Sequence, residues 1–262
     1  MTLKKLILFG LVFFAISSSV IAQDQLTPIQ RRIERERQRL SSAEPEERRD
    51  ALMKLAAMNH PEASRAAVPA LNDAEPIVRV TAARAILSLP QNEAVNLLMP
   101  LTKDKSEFVR REAAHALGET RSRAAVAPLI ELLSMDKEPG VRAAAAIALG
   151  HIKDESAAPA LIDVLAGISK KKKSKGSDNE FLLRAAAQAL GEIHSRAGVD
   201  VLIATVGNET KPAEVRRAAA KSLGLIGDPA ARPALQAAYA SDDPYLSQAA
   251  REALRRLRVA GN

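Results

Sequence analysis

The side chains best suited to chemistry in this sequence are its four histidines, His60, His115, His151 and His194. Histidine can bind zinc or transfer protons near neutral pH. Zinc ligands must converge to about 2 Å from one point, whereas these histidines fall in separate predicted helices whose axes would lie about 10 Å apart. The chain contains no cysteine, which excludes disulfides and thiolate metal sites. We therefore predict no metal site.

Motifs that would indicate catalysis are also missing. The sequence has no G-x-S-x-G, H-E-x-x-H, P-loop or dinucleotide-binding pattern. Single serines, histidines and aspartates occur, but their spacing does not indicate a catalytic triad. We predict that the protein is not an enzyme and holds no cofactor.

The elements that position the polar residues are set by an internal repeat. Residues 109–118 read V-R-R-E-A-A-H-A-L-G, and related segments recur along the chain. The repeats start at Glu47, Val78, Val109, Val141, Leu182, Val215 and Leu246. These starts are 31 to 33 residues apart, except for one interval of 41 residues. A fixed period of this length with one insertion predicts a solenoid.

Each repeat unit reads as a helix, a turn and a second helix. In one unit, apolar residues recur at helical spacing over residues 124–134 and again over residues 141–152, separated by the turn residues 136–140. Gly150 weakens the end of the second helix. Because one helix pair cannot bury both of its apolar stripes, neighbouring pairs must stack. The sequence predicts an all-α solenoid of about seven helix pairs.

Three units carry an aspartate six residues before an arginine. These predicted ladder residues are Asp73 and Arg79, Asp104 and Arg110, and Asp136 and Arg142. The aspartate can accept hydrogen bonds from amides at the start of the second helix, or pair with an arginine of its own or the next unit. We interpret this ladder as structural, and a row of anion-binding sites is the alternative.

The N-terminus has the pattern of a secretory signal peptide over residues 1–22. Lys4 and Lys5 precede the apolar run 6–16, and Val20 and Ala22 suit a cleavage site before Gln23. An uncleaved membrane anchor is the alternative, but eleven apolar residues span only about 17 Å of a hydrocarbon layer roughly 30 Å thick. We expect a periplasmic or secreted protein.

Residues 23–44 are predicted to form a capping helix. Thr27, Pro28 and Gln30 have the order of an N-cap, a first-turn proline and a capping-box partner. The helix would cover the open end of the first repeat. A short association helix, or a basic contact for an anionic surface, is the alternative function.

The repeat unit resembles the HEAT repeat, particularly the short, alanine-rich form found in phycobilisome bilin lyases. The residues that carry the resemblance are Pro128, Leu129, Leu132, Leu133, Asp136, Val141, Arg142, Ala145, Leu149 and Gly150, with their counterparts in other units. The resemblance covers roughly residues 44–257 and implies a right-handed α-α superhelix. It also implies that the second helix of each unit lines the concave side. Leu183 and Ser247 depart from the pattern because they replace the ladder arginine.

On that arrangement, the exposed face of the second helices should lie near Arg111, Ala114, His115 and Gly118. Equivalent positions in the other units give two mixed rows, basic at several points and small or apolar in the middle. The partner-binding candidates are Arg84, Arg111, His115, Arg184, Gln188, Arg217 and Lys221. The rows suit an extended acidic or amphipathic partner segment, and an ordinary solvated face is the alternative.

The insertion at residues 167–180 is rich in lysine. Its anionic-surface candidates are Lys170, Lys171, Lys172, Lys173 and Lys175. Such a run usually serves solubility, and otherwise it contacts anionic lipid, a cell-wall polymer or an acidic protein.

Together these features predict a monomeric, non-enzymatic protein-protein interaction scaffold of the bacterial envelope. The alternatives are an accessory or regulatory subunit of an envelope enzyme and, more weakly, a lyase-like enzyme related to bilin lyases. Nucleic acid is not an expected partner, because the chain after residue 22 has only Phe108, Phe181, Tyr239 and Tyr245 as aromatic residues.

Overall fold

The computed structural model describes residues 26–168 and 179–259. These ranges contain fourteen α-helices, six short 3-10 helices and no β-strand. The α-helices are α1 (Pro28–Arg39), α2 (Pro45–Ala57), α3 (Pro61–Ala67), α4 (Pro76–Ala85), α5 (Gln91–Leu98), α6 (Glu107–Thr120), α7 (Val126–Met135), α8 (Pro139–Ile152), α9 (Ala158–Ala166), α10 (Glu180–Ile193), α11 (Val199–Gly207), α12 (Ala213–Ile226), α13 (Arg232–Tyr239) and α14 (Pro244–Val259). The predicted leader and most of the lysine-rich insertion lie outside the described residues.

The helices alternate between two layers. The even-numbered helices α2 to α14 form the long-helix layer, in which each helix packs against the next member of the layer. The odd-numbered helices α3 to α13 form the short-helix layer, and each packs against the long helix that follows it in the chain. This arrangement confirms the predicted all-α solenoid.

The N-terminal helix α1 begins with the predicted capping box. The Thr27 hydroxyl accepts a hydrogen bond from the Gln30 amide at 3.3 Å, and the Gln30 carboxamide oxygen accepts one from the Thr27 amide at 3.0 Å. These bonds satisfy amides that would otherwise lack partners at the helix start. The apolar stripe of α1, including Ile33, packs against α2 and α3 at the first repeat.

The buried leucines form one continuous core between the layers. Leu117 on α6, Leu133 on α7 and Leu149 on α8 are completely inaccessible to solvent. They belong to a single cluster of buried apolar residues that extends from α1 to α14. Because each unit contributes part of this cluster, stability depends on the contacts between adjacent units.

The glycine near the end of the second helix in four units is a contact point between units, where the sequence suggested only a weak point. A Cβ atom on Gly118 would lie 2.8 Å from the Cα of Ala148, and one on Gly150 would lie 3.0 Å from the Cα of Ala189. Gly191 and Gly224 approach Ser222 and Ala253 equally closely. Glycine at these positions allows the backbones of neighbouring long helices to approach.

Candidate partner-binding face

The ladder residues form ion pairs between units. The Arg79 guanidinium group donates to both carboxylate oxygens of Asp104 at 2.8 Å, and Arg110 makes the same paired contact with Asp136 at 2.6 and 3.0 Å. Within its own unit, Arg79 reaches Asp73 only through the main-chain carbonyl, at 2.8 Å. Each carboxylate therefore joins its unit to the arginine of the preceding unit.

The first ladder pair includes Arg48, which the sequence analysis did not select. Its guanidinium group donates to both carboxylate oxygens of Asp73, at 2.7 and 2.8 Å. Arg48 directly follows the repeat start at Glu47, as Arg79 follows Val78. The repeat register could therefore have identified it.

The geometry of the ladder favours the structural interpretation over an anion-binding row. Only 7% of the Arg79 side chain and 11% of the Arg110 side chain are exposed. In addition to their carboxylate partners, these arginines donate to the main-chain carbonyls of Asp73 and Asp104. Little of either guanidinium group is left to bind a ligand.

The last unit uses a different arginine. Arg217, a predicted partner-binding residue, donates to both carboxylate oxygens of Asp243 at 3.0 and 2.9 Å. It also pairs with Glu214, and its guanidinium carbon lies 4.8 Å from the centre of the Tyr245 ring. The expected free guanidinium group is thus engaged in joining α12 to α14.

Arg84 is also paired within the protein, and His115 is partly buried. Arg84 forms a two-point ion pair with the buried carboxylate of Glu112, although 66% of the Arg84 side chain remains exposed. Burial lowers the pKa of half-buried His115; the Glu112 carboxylate raises it and the charge of Arg111 lowers it further. The lowered pKa favours the neutral imidazole of His115 at pH 7.

Arg111 and Arg184 remain available. The Arg111 guanidinium carbon lies 5.3 Å from the centre of the Phe108 ring, and Arg184 has the same distance to Phe181. Within the described residues, the side chains of these arginines form no ion pair or hydrogen bond. Gln188 and Lys221 are exposed on the same layer, likewise with no side-chain bond in the described part of the chain.

Three small residues expected on the exposed rows are buried. Ala114, Ala143 and Gly118 have no significant exposure, contrary to the predicted face. The reason is the close approach of the long helices at the repeated glycines, which covers small side chains near the contact.

Two of the four histidines cap helices. The ring Nδ1 of His60 accepts a hydrogen bond from the Glu62 amide at 3.2 Å. The Nδ1 of His194 lies 2.8 Å from the Leu225 carbonyl oxygen, and its backbone ends α10 with φ 58°. Residues 26–168 and 179–259 contain no group of three or more potential ligands arranged for a metal ion.

A shallow groove adjoins the last two long helices. It has a volume of about 440 Å³ and is lined mainly by Glu214, Arg217, Lys221, Tyr245, Gln248 and Glu252. Its charges are mixed, and Arg217 is already paired. The groove therefore offers Lys221 as its available cation.

The lysine candidates Lys170, Lys171, Lys172, Lys173 and Lys175 lie outside the described residues, so their role stays a prediction. Within the described ranges, no helix combines the length and the apolar character needed to cross a bilayer.

Comparison with known proteins identifies the repeat. The family described as HEAT repeats matches residues 33–116, 95–168 and 174–255. The chain belongs to the HEAT-repeat family. The resemblance to HEAT repeats that the sequence predicted is therefore confirmed.

Several solved structures align with most of this chain. The complex of CpcE and CpcF of phycocyanin lyase from Nostoc sp. PCC7120 aligns over 91% of this chain and 89% of that chain, with 23% identity and a TM-score of 0.54. A designed armadillo repeat protein aligns over 85% and 98%, with 20% identity and a TM-score of 0.45. Human deoxyhypusine hydroxylase aligns over 92% and 99%, with 19% identity and a TM-score of 0.39. The comparison with curated proteins gives no match.

Proposed function

We propose that this HEAT-repeat protein is a non-enzymatic scaffold that binds an acidic segment of a partner protein. The binding surface is the outward face of the long-helix layer, which the HEAT resemblance assigns to the concave side. The observation that carries the proposal is the state of Arg111 and Arg184, whose guanidinium groups are stacked on rings but have no carboxylate partner among the described residues.

The chemistry of these arginines favours a carboxylate ligand. A guanidinium group presents a planar fork of donors that matches a carboxylate, and stacking on a ring restricts its motion before binding. The other arginines on this layer illustrate the match, because Arg84 and Arg217 already hold carboxylates. Arg111 and Arg184 would take theirs from the partner.

The proposal includes export to the bacterial envelope, where the protein acts as a monomer. Support comes from the charged, apolar and small-residue order of residues 1–22. Cell fractionation of the full chain tests this part. A processed protein starting near Gln23 in the envelope fraction is expected, and a full-length cytosolic protein would contradict it.

Pull-down from an envelope extract tests the binding function. The Arg111→Glu/Arg184→Glu variant should lose an acidic partner that the unaltered protein captures, because two attractions become repulsions. Arg31→Glu/Arg196→Glu is the matched control, since both arginines are exposed and have no side-chain ion pair in the described ranges.

The control should capture the partner as the unaltered protein does. If both double variants lose the partner, the effect is one of net charge and the assignment to this face is wrong. Equal capture by all three proteins would also contradict it. Thermal melting of each variant establishes that the fold is retained.

A further inference from the structure

Large apolar side chains are exposed at one register of the long helices. The residue just before the first buried residue of the helix is Ile77 in α4, Phe108 in α6, Phe181 in α10 and Tyr245 in α14. Their exposed fractions are 42%, 55%, 44% and 66%. Single exposed apolar residues need no explanation, but recurrence at one position of a repeat places them along a line across the helices.

Two residues of this line, Phe108 and Phe181, stack with the available arginines Arg111 and Arg184. In each case the arginine follows the phenylalanine by three residues, so both lie on the same side of the helix. Stacking covers part of each ring and leaves an apolar edge beside a cationic group. We call Phe108 with Arg111, and Phe181 with Arg184, the two Phe–Arg posts.

The helix between the posts, α8, has no large side chain at the two corresponding positions. In α8 the two registers are occupied by Gly140 and Ala143, and Ala143 is completely buried. Among the described residues outside its own helix turn, the heavy atom that comes within 4.0 Å of the place of a Gly140 Cβ is the Nη1 of Arg111. At these two registers α8 therefore has no side chain that would hold a ligand backbone away from the helix.

The spacing of the posts sets the length of a ligand that contacts both. They lie two long helices apart, and neighbouring helix axes are about 8–10 Å apart, which gives about 16–20 Å. An extended chain advances about 3.3 Å per residue, so about five or six residues span this distance.

We propose that the two posts bind one extended peptide segment with two acidic residues five or six positions apart, each next to an apolar residue. The carboxylates pair with Arg111 and Arg184, and the apolar side chains cover the edges of Phe108 and Phe181. This inference rests on the proposed function and adds the conformation and spacing of the partner segment.

Fluorescence anisotropy with synthetic peptides tests the spacing. The probes are labelled glycine-serine peptides that carry two Leu-Glu pairs, with the glutamates two or six residues apart. The six-residue spacing should bind about tenfold more tightly, because only that peptide can engage both posts at once. Equal affinity of the two peptides, or no binding of either, would overturn the proposal.

Variants of the rings separate this proposal from the general function. Phe108→Ala/Phe181→Ala should lose most of the preference for the six-residue spacing while keeping its stability, since both rings are exposed. Tyr239→Ala removes an exposed ring from the short-helix layer and should keep the preference.

Failure of the scaffold function and failure of the two-post segment give different experimental results. If the pull-down partner depends on Arg111 and Arg184 but the peptides show no spacing preference, the scaffold function stands and the two-post segment is wrong. A preference that persists in the Phe108→Ala/Phe181→Ala variant would also contradict the role of the rings.

Discussion

The N-terminal and C-terminal units of the solenoid are joined by different contacts. Between α2, α4, α6 and α8, each interface has a two-point ion pair between an arginine and an aspartate. Between α6, α8, α10, α12 and α14, each interface has a glycine against the backbone or Cβ of the next helix. The α6–α8 interface has both contacts, and so does α12–α14, where Arg217 pairs with both carboxylate oxygens of Asp243.

At three other interfaces a single device operates: the ion pair at α2–α4 and α4–α6, and the glycine contact at α10–α12. In the first two units the position of the repeated glycine is occupied by other residues. It is Ala56 in α2 and Leu87 just beyond the end of α4. Of the later long helices, α8 and α12 keep the ladder arginine as Arg142 and Arg216. In α10 it is replaced by Leu183, which is buried, and in α14 by Ser247, whose hydroxyl donates to the Tyr239 carbonyl at 2.7 Å.

This difference shows two ways to fix the offset between repeats. An ion pair fixes the offset through the positions of two charged side chains. Its strength therefore depends on pH and on both side chains being present. A glycine contact fixes it sterically, because a neighbouring backbone fits only where no Cβ intervenes. The posts at α6 and α10 lie in the part of the solenoid where the steric contact operates.

The largest expected effect comes from filling a glycine contact. Gly118→Val places a branched side chain where even a Cβ would lie 2.8 Å from the backbone of Ala148. We expect a loss of about 3 kcal/mol in the free energy of unfolding, measured by chemical denaturation. Ala56→Val, at the same register of α2, is the matched control and should cost less than about 1 kcal/mol. Similar losses for both variants would remove the distinction between the two regions.

A smaller effect is expected from breaking the ladder. Asp104→Ala leaves the guanidinium group of Arg79 buried without its carboxylate, which should cost about 2 kcal/mol. The double variant Arg79→Met/Asp104→Ala should recover part of that loss, because the unpaired buried charge is gone. Hydrogen exchange should show increased opening of α4 and α6, and no change in α10 to α14. Opening of the whole array would contradict nearest-neighbour coupling.

Acid should act mainly on the N-terminal region. The hydrogen bond from Arg48 lowers the pKa of Asp73; burial raises the pKa of Asp104, but its bonds from Arg79 and the Ser106 amide lower it overall. A carboxylate with a lowered folded-state pKa stabilises above its unfolded pKa, near 4, and that contribution is lost as the pH falls further.

Hydrogen exchange between pH 6 and pH 3, corrected for intrinsic rates, measures this difference. Opening of α2 to α6 should increase below about pH 4 more than opening of α10 to α12, whose interface has a glycine contact. Asp243 also has a pKa lowered by its bond from Arg217, so α14 should share the acid effect. Uniform loss of protection along the chain would contradict the prediction.

The smallest effect on stability is expected at the proposed binding residues. Arg111→Ala and Arg184→Ala each remove a stacking contact with an exposed ring, so each should change the free energy of unfolding by about 0.5 kcal/mol. Thermal melts and peptide binding measured on the same samples test this. A large loss of stability would mean that these arginines are structural, like Arg217.

Some of the site could have been identified from the sequence. Phe108 and Arg111, like Phe181 and Arg184, are three residues apart on a helix, a spacing at which side chains meet. Arg48 is at the ladder register. The pairing of Arg217 with Asp243 could not be identified in this way, because Asp243 lies closer to its repeat start than Asp73 and Asp104 do to theirs.

The sequence by itself determined the helix pairs, their buried stripes and their stacking into a solenoid, because these follow from the spacing of apolar residues along the chain. The tertiary structure decided which arginines are free. Arg79 and Asp104 lie 25 residues apart in the chain and meet only across an interface between units. The same holds for Gly118 and Ala148, whose contact depends on how closely two helices approach.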